Sequence, residues 1–381
     1  MNYIKRDKCV ITEKKDLEPL YKLINFPVFI GCTEQDQDKD LFADMEWSIS
    51  KGSGVIQLTK LLPLNLVYSG FHSEAVGNIW EEHRKQFSDF IIKYTTDNSI
   101  VEMGGSNGSL AELCLKKSKD IISWTIIEPN PDSVYRPISN KITVIESFIE
   151  DQLEILDDSS VFVHSHVLEH LYSPLDTMTT VSNKQSKGDL MIFSIPDLYE
   201  YLSKNYANTI NFEHTYFLTE CVTDYLLKKL GYKVRGKYFF KGHSIFYCAE
   251  YIGMKDDNII PLNNYKEYKV MYLSMIEYYK HEVESLNIKM INWHGEIYLF
   301  GAHIFSQFLI HMGLDVIRIN GIIDNSKEKQ GKRLYGTTLS VSNPNIITHK
   351  GSVMTIVKAG QYQDEVEGQL HEINKNVHIV R

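Results

Sequence analysis

The chain has 381 residues, of which 43% are hydrophobic, and a formal net charge of −9. This length exceeds what one ordinary hydrophobic core serves and predicts two or three domains. The net charge is acidic and no stretch is rich in basic residues, so the chain is not expected to bind nucleic-acid phosphates non-specifically. The five cysteines are scattered and form no C-x-x-C pair, which is typical of a reducing cytoplasm. No window reaches ~18 uncharged apolar residues, so we expect a soluble protein without a membrane partner.

Residues 1–65 predict a small N-terminal module. The segment is irregular, with short apolar runs such as FPVFIG separated by charge-rich turns. Helical periodicity begins in HSEAVGNIWEEHRKQFSDFIIKY, where Ile79, Phe87, Phe90 and Ile91 fall on one side of a helix.

Residues 66–253 predict a parallel sheet finished by a hairpin. The runs SIVEMG, WTIIEP, ITVIES, SVFVHS and DLMIFSIP read as strands with helices between them, which indicates a sheet covered on both faces. YKVRGKYFF and SIFYCAEYI, joined by KGH, then read as an antiparallel pair. We therefore predict an α/β fold with the Rossmann-like sheet and terminal β-hairpin of class I methyltransferases, as a fold-level analogy.

Residues 254–381 predict a second α/β domain. A long helix in YKEYKVMYLSMIEYYKHEVESL precedes the strand IYLFG, the helix AHIFSQFLIHMG, the strands VIRINGIIDN and SVMTIVKAG, a last helix and the terminal VHIV. With one glycine after its first strand, this domain lacks the dinucleotide fingerprint. We expect it to form a Rossmann-like domain on the substrate side.

The stretch IVEMGGSNGSL runs from a strand end through a glycine loop into a helix. Glycines there let a ligand approach the backbone where a Cβ would obstruct it. The carboxylate of Glu102 would repel a pyrophosphate, but it suits S-adenosylmethionine, which brings an ammonium and a sulfonium group. We predict that this cofactor lies against Glu102, Gly104, Gly105, Asn107 and Gly108.

Three further strand ends should meet the same crevice, because ligands bind outside the carboxyl ends of such sheets. Glu128 ends the second strand, where a carboxylate can accept hydrogen bonds from both ribose hydroxyls. Phe148 and Ile149 follow the third strand and are predicted to lie beside the adenine. His166 follows the fourth strand and completes the predicted cofactor site.

The segment HSHVLEH carries a competing interpretation. His164, His166, Glu169 and His170 are similar to the H-x-H-x-D-H cluster of a binuclear metallohydrolase. The acidic residue falls one position late and is Glu instead of Asp, and the final histidine is late too. A metal site also needs ligands from elsewhere and partners that orient them. VLEH after a strand is also a frequent methyltransferase string, in which His170 would line the pocket.

The segment NTINFEHTYFLTECVTDYLLKKLGYKV resembles the sugar C-methyltransferase family, which acts on nucleotide-linked deoxysugars. The family carries a string of the form T-I-Y-H-E-H-x-x-Y-F-S before a helix that ends in a G-[FY]-x-V strand, and residues 209–217 read TINFEHTYF here. The resemblance extends to VIQL near residue 57, VEMGGSNGSL, VLEH, KGHS and IIDNSKEKQGKRLYGTTLSV. It therefore covers almost the whole chain and implies a three-part architecture.

By that resemblance His214 is the general base and Glu213 is its neighbour in the pocket. Methyl transfer is an in-line displacement, so an enzyme must align the acceptor and remove one proton as it attacks. Lys241, Lys329 or Arg333 are candidates to meet a diphosphate. The remaining candidate substrate residues are Tyr68, Phe71, His72, His170, Asn211, Tyr216 and His243.

Two departures from the family pattern bear on chemistry. The family's N-terminal module carries two pairs of zinc cysteines, whereas these positions hold Cys9 and Thr12, then Ser50 and Ser53. One thiolate cannot hold a structural zinc, so we expect no zinc. Two pocket tyrosines of the family are also replaced, by Asn211 and Phe71. An enolate oxygen needs donors aimed at it, so losing the phenols favours transfer to a hydroxyl.

The sequence thus predicts a cytoplasmic S-adenosylmethionine-dependent methyltransferase that O-methylates a nucleotide-activated sugar for a surface polysaccharide. The second interpretation is 3-C-methylation of a nucleotide-linked 4-keto-deoxysugar. A metal-dependent hydrolase and a non-catalytic sugar-nucleotide binding protein remain from other classes. The predicted partner is the nucleotide-sugar substrate, and a homodimer stays open.

Overall fold

The computed structural model describes residues 3–68, 78–96, 98–129, 137, 139–152, 154–155, 161–256 and 258–381. The strands in these ranges form one seven-stranded sheet, one five-stranded sheet and three smaller ones. Among the helices in the same ranges, none is both long enough and apolar enough to cross a membrane.

The N-terminal module is built mainly from strands, so the irregular structure predicted for it is wrong. β2 pairs antiparallel with β4, and β5 extends that sheet. Register shifts in β2, at Pro19/Tyr21 and Leu23/Phe26, break the alternation of side chains and conceal the strand in the sequence. The elements are β1 (Ile4–Lys5), β2 (Leu17–Pro27), β3 (Cys32–Thr33), β4 (Phe42–Ser50), β5 (Ile56–Leu58), β6 (Lys60–Leu61) and α1 (Leu64–Val67).

The central sheet carries all five predicted parallel strands and the predicted hairpin. Its elements are α2 (Asn78–Tyr94), β7 (Ser99–Met103), α3 (Ser109–Lys117), β8 (Ser123–Glu128), β9 (Ile142–Glu146), β10 (Val161–Ser165), α4 (Pro174–Lys184), β11 (Leu190–Pro196), α5 (Leu198–Ser203), α6 (Glu220–Lys229), β12 (Tyr232–Phe240) and β13 (Ser244–Tyr251). The strand order is β9-β8-β7-β10-β11-β13-β12, and β13 runs antiparallel to both of its neighbours. The predicted α/β fold class is confirmed.

The order of this sheet places the predicted cofactor crevice. β7 lies between β8 and β10, and all three run parallel. The chain leaves β7 in one direction towards β8 and β9, and later returns to the other side at β10. The carboxyl ends of β7 and β10 are therefore the switch point at which such sheets bind ligands.

A second parallel sheet follows the long helix α7. Its strand order is β17-β15-β14-β18-β19, so its own switch point lies between β14 and β18. The elements are α7 (Tyr265–Ile291), β14 (Glu296–Phe300), α8 (Ile304–His311), β15 (Gly321–Ile323), β16 (Arg333–Leu334), β17 (Val341–Ser342), β18 (Val353–Val357), α9 (Gln363–Ile373) and β19 (Val377–Val380).

The degenerate zinc positions of the N-terminal module lie together in its core. The Sγ of Cys9 is 3.5 Å from the Oγ of Ser53, which donates to the Oγ of Ser50 at 2.9 Å. All three side chains are buried. Hydroxyls are not the ligands of structural zinc, and here they satisfy one another. The expectation that packing rather than metal stabilises this module stays a prediction.

The N-terminal module is tied to the last domain by a buried ion pair. Arg333 of β16 holds Asp40 in a bidentate pair with two N–H···O distances of 2.7 Å, and the Asp40 side chain is fully buried. β16 also pairs with β3. Arg333 therefore joins two parts of the structure. The sequence analysis had suggested that it binds a diphosphate, but its guanidinium is already paired with Asp40.

Arg333→Met should lower the free energy of unfolding by about 3 kcal/mol, because it leaves a buried carboxylate without its partner. Lys332→Met is the matched control. Lys332 lies 3.7 Å from Glu34 in an open ion pair, so its loss should cost less than about 1 kcal/mol. Urea unfolding of both variants measures the difference, and equal losses would contradict the anchoring role of Arg333.

Candidate functional site

The glycine loop between β7 and α3 is shaped first by packing inside the protein. A Cβ on Gly104, whose φ is 72°, would lie 2.6 Å from a methyl of Val167. A Cβ on Gly105 would lie 2.6 Å from Ile126 and 3.0 Å from the carboxyl carbon of Glu102. The packing of the protein itself therefore requires glycine at both positions, with or without a ligand. The sequence analysis had explained both glycines by ligand binding alone.

Glu102 lies beneath this loop and not on the open face of the crevice. Its carboxylate is 2% exposed and accepts a hydrogen bond from the indole N–H of Trp124 at 2.7 Å. Burial raises the pKa of Glu102 to about 7, the Trp124 bond opposes this, and nearby Glu128 adds to it. The predicted strand-end charge is therefore a buried carboxyl that is poorly compensated. The sequence analysis missed this role of Trp124, which lies on the neighbouring strand β8.

Glu128 stands where the sequence placed it, at the end of β8 and against the loop. Its carboxylate accepts a hydrogen bond from the Ser106 amide at 3.0 Å. The Asn107 side chain accepts a hydrogen bond at 3.1 Å from the amide of Ser109, the first residue of α3, and Gly108 directly precedes that helix with a φ of 70°.

The two apolar candidates beyond β9 differ in exposure. Phe148 is 42% exposed and offers an open ring face, whereas Ile149 is 3% exposed and belongs to the hydrophobic core. The expectation that Ile149 lies beside an adenine is corrected, because its side chain has almost no accessible surface. Phe148 alone of this pair can meet a ligand directly.

A tight turn carries the predicted base. The Asn211 side chain accepts from the amides of both Glu213 and His214, at 2.9 and 2.8 Å, and donates to the Asn208 carbonyl at 3.2 Å. Asn211 is 3% exposed, so its predicted contact with substrate is corrected to a structural role. This residue fixes the backbone that presents Glu213 and His214.

Arg6 of the N-terminal module braces that turn against the loop after β10. Its guanidinium donates to the carbonyls of Leu171, Tyr172 and Thr215 at 3.2, 2.5 and 3.0 Å. The Thr215 amide also donates to the Glu169 carbonyl at 2.9 Å. The segments 169–172 and 213–215 are therefore fixed side by side.

This bracing gathers Glu169, His170 and His214. One ligating atom from each of the three lies within 4.8 Å of the others. The rings of His170 and His214 meet edge to face with centroids 4.7 Å apart. Burial is the main cause that lowers the pKa of His214 well below its ordinary value, and neighbouring His170 and His166 lower it further. His214 is therefore neutral near pH 7 and has a free lone pair.

His166 and His243 belong to a second group of rings on the other side of Glu169. His83 of α2 lies 5.2 Å from His166 and 5.8 Å from His243 between centroids, and Trp80 covers His243 at 4.5 Å. Burial lowers the pKa of both His166 and His243 to about 3. His243 is 4% exposed, so its predicted contact with substrate is corrected.

The helical pattern itself could have revealed His83. It lies four residues before Phe87, so the periodicity that buries Phe87 also turns His83 inward. His166 bonds with Ser244 at 2.8 Å, and Ser244 also bonds with His243 at 2.6 Å. The group is thus linked by one hydroxyl, and His166 is turned towards it.

The metallohydrolase set from HSHVLEH does not assemble as that interpretation requires. His164 lies within the sheet, fully buried and stacked on Phe193 at 4.7 Å. His166 is turned towards Ser244, with its other nitrogen 3.4 Å from Glu169. His164 therefore cannot share a metal with His170.

Of the predicted pocket aromatics, Tyr68 lies at the site. Burial raises the pKa of Tyr68, and the carboxylates of Glu213 and Glu128 raise it further, so both approach the same phenol. Tyr216 is fully buried and its hydroxyl donates to the Leu168 carbonyl at 2.8 Å, which corrects its assignment to a substrate pocket. Phe71 and His72 lie outside the described residues.

The last domain adds His303, which sequence analysis missed. It stands directly before α8 at the end of β14, and solvent reaches its side chain. The surrounding protein desolvates the ring and lowers its pKa to about 4, Lys329 lowers it further, and Asp324 and Glu213 oppose the shift. His303 therefore adds a ring of the last domain whose pKa responds to Glu213. Its place after the strand in LFGAH was the available signal.

A cavity of about 420 Å³ opens at the switch point of the second sheet. Four aromatic rings and three cationic side chains line it, and Phe305 follows His303 by two residues. These lining residues are Tyr206, Tyr278, Tyr279, Phe305, Lys204, Lys358 and Arg381. The cations named from sequence lie elsewhere, since Lys241 pairs with Glu82 and Lys329 with Asp324.

No protein-family model matches the sequence, and no curated protein matches it. Solved structures similar to the chain include an O-methyltransferase family protein from Burkholderia thailandensis, at 10% identity and a TM-score of 0.37 over 46% of this chain and 57% of that one. A methyltransferase from Archaeoglobus fulgidus that depends on S-adenosylmethionine shows 16% identity and 0.37 over 45% and 93%. The N-methyltransferase NodS from Bradyrhizobium japonicum shows 14% and 0.35 over 46% and 97%. The chain thus spans 57% of the first protein's length and over nine-tenths of the other two.

The contribution of Glu102 to the unfolding free energy should fall as pH rises from about 5 to 8, whereas buried histidines with lowered pKa values, such as His166 and His243, contribute in the opposite direction. The pKa of Glu102 is about 7 in the folded state and ordinarily 4.5, so the folded state holds the proton more tightly, and this stabilisation disappears as pH rises through 7. Glu102→Gln removes this titration, so the unfolding free energy at pH 8 minus that at pH 5 should be about 3 kcal/mol more positive in the variant than in the unchanged chain. Urea unfolding at both pH values measures this.

Glu284→Gln is the control for that comparison, because its side chain is 76% exposed. It should leave the pH dependence as it is in the unchanged chain. An unaltered dependence in Glu102→Gln as well would show that this carboxyl does not titrate in the folded protein.

Proposed function

We propose that the chain is an S-adenosylmethionine-dependent methyltransferase that transfers a methyl group to a hydroxyl of a nucleotide-activated sugar. One observation carries the proposal: the glycine loop and the His214 turn meet at one strand end. Val167 packs against Gly104 of the loop, and two residues later Glu169 lies beside His214. A donor held by the loop and a base that faces the acceptor would thus share one crevice.

The residues at the loop fit S-adenosylmethionine better than a cofactor with phosphates. The carboxyl groups of Glu102 and Glu128 both lie against the loop, where they would repel a pyrophosphate and attract a cationic ligand. Glu128 would accept from ribose hydroxyls, and Phe148 offers a ring face to a base. When bound, this cofactor supplies an electrophilic methyl group.

His214 is the proposed proton acceptor. Its low pKa keeps the ring neutral at pH 7, so it can accept a hydrogen bond from the acceptor hydroxyl. The low pKa also makes it a weak base, and the nearby Glu169 carboxylate would stabilise the imidazolium as it forms. Asn211 holds the turn, and Tyr68 and Glu213 flank it. This arrangement aligns one hydroxyl and takes its proton.

The cavity of the last domain is proposed to hold the nucleotide part of the acceptor. Its tyrosines and Phe305 can stack on a base, and Lys204, Lys358 and Arg381 can meet phosphates. Each of these cations is paired with a glutamate at rest, so phosphates would have to compete for it. A role in surface polysaccharide synthesis and a cytoplasmic location belong to the same proposal.

Incubation with labelled S-adenosylmethionine and a panel of nucleotide-linked sugars should give one product heavier by a methyl group. Free sugars should react poorly, because they cannot occupy the cavity of the last domain. NMR should place the new methyl on oxygen. A carbon-bound methyl on a keto sugar would support the 3-C-methylation alternative instead, and no transfer to any nucleotide-linked sugar would count against this substrate class.

His214→Ala should lower kcat by ~10²-fold or more, because it removes the proton acceptor without touching the glycine loop. Binding of S-adenosylmethionine, measured by calorimetry, should change little. His281→Ala is the matched control, since its side chain is 77% exposed on α7. A variant with normal turnover would remove His214 from the mechanism, while a loss of cofactor binding would show that the change disturbs the loop.

A further inference from the structure

The Glu169 carboxyl is buried without the partners that such a group needs. It is 0% exposed, and among the described residues neither of its oxygens has a hydrogen-bond partner. Two imidazoles approach one of them, His166 at 3.4 Å and His170 at 4.0 Å. An unpaired buried carboxylate is strongly unfavourable, and native structures avoid it unless the group serves a purpose.

The ring of His170 is oriented so that a lone pair faces this carboxyl. Its Nδ1 lies 3.1 Å from the Glu213 carbonyl, and a carbonyl can only accept, so Nδ1 carries the proton. The Nε2, which lies 4.0 Å from the Glu169 carboxyl, is then the ring nitrogen that can offer a lone pair to a metal. Metal-binding histidines are fixed in this same way, by an N–H bond to a carbonyl that sets the tautomer.

His214 brings a second nitrogen to the same point. Its Nδ1 is buried and has no hydrogen-bond partner among the described residues. One nitrogen from each of the two histidines and one oxygen of Glu169 lie within 4.8 Å of one another. Three converging lone pairs repel one another, and a cation would relieve them together.

We propose that Glu169, His170 and His214 form a binding site for a divalent transition ion of the zinc class. Two imidazoles and one carboxylate are a ligand set that holds such ions in proteins and leaves positions open for water or substrate. This set differs from the one suggested by HSHVLEH, because it replaces His164 and His166 with a histidine from a distant turn.

The geometry requires only a modest contraction. Ligand atoms around tetrahedral zinc lie about 3.4 Å apart, so atoms now within 4.8 Å would close by up to about 1.4 Å. The Arg6 brace fixes the backbones of both loops, and rotation of the side chains can supply this movement. An entry path exists, since the His170 side chain is 21% exposed.

Occupation of this site would inhibit methyl transfer. A metal bound to His214 takes the lone pair that would accept the proton of the acceptor hydroxyl. This consequence rests on the proposed function, whereas binding itself does not. The site would make the enzyme sensitive to free zinc through its own base.

Cobalt(II) is the probe, because its visible absorption reports coordination by nitrogen ligands while zinc is silent. Titration of the chelator-treated full chain should give one cobalt ion per chain, displaced by zinc. Glu169→Gln and, separately, His170→Gln should weaken binding by at least about 100-fold. Circular dichroism would confirm that both variants fold, and His281→Ala should bind cobalt as the unchanged chain does.

Absence of bound cobalt, or binding that survives both substitutions, would overturn the proposal. Methyl transfer is then compared with and without zinc. Loss of activity on loading, reversed by chelation, supports inhibition through His214. Full activity in the zinc-loaded chain would leave the binding site standing and remove His214 as proton acceptor. Failure of the metal site and failure of the proposed function are therefore read from different measurements.

Discussion

The candidate site depends on the hydrogen bonds that the Arg6 guanidinium donates to two loops. Burial lowers the pKa of Arg6 to about 10, which shows that a cation is held here at a cost. Arg6 donates hydrogen bonds to the carbonyls of Leu171, Tyr172 and Thr215, which belong to two segments that are distant in sequence. One planar group thus sets the spacing between the loop after β10 and the turn before α6. The N-terminal module, without zinc cysteines, acts on the site by supplying this brace.

Two buried acidic side chains would favour a bound cation inside the candidate site. Burial raises the pKa values of both Glu102 and Glu169 to about 7, and each carboxylate would be stabilised by a cation beside it. Around them, His166 and His243 are held neutral by the same desolvation. The burial of these two acids is unfavourable, and a cationic donor at the loop and a cation near His214, as proposed above, would each relieve it.

The fold was predictable from sequence where hydrophobic runs matched strand lengths, as in β7 to β11. The direction in which each side chain points could not be predicted from the sequence. The motif around Glu102 gave its position in the chain, yet only the packing of Trp124 shows that the carboxyl turns under the loop. Asn211 and Tyr216 occupy motif positions that suggested a pocket, and both point into the protein because their hydrogen bonds are made with backbone groups. A motif records which residues are present and leaves their rotamers open. Irregular pairing hid β2 for a related reason, since bulges remove the period that identifies a strand.

Donor and acceptor would be held by different domains, so their alignment depends on the contact between those domains. The N-terminal module lies between them: Arg6 joins it to the loop after β10, and Gln307 of α8 joins it to the last domain. The Gln307 amide nitrogen donates to the carbonyls of Phe29 and Tyr335, at 2.9 and 3.0 Å, and its oxygen accepts from the Gly31 amide at 3.3 Å. His303 directly precedes α8, so the helix that makes the contact with the N-terminal module also directly follows this ring. If α8 shifted by about one ångström, the acceptor would be misaligned with the methyl group, and methyl transfer tolerates little misalignment. The three hydrogen bonds of the Gln307 side chain oppose such a shift.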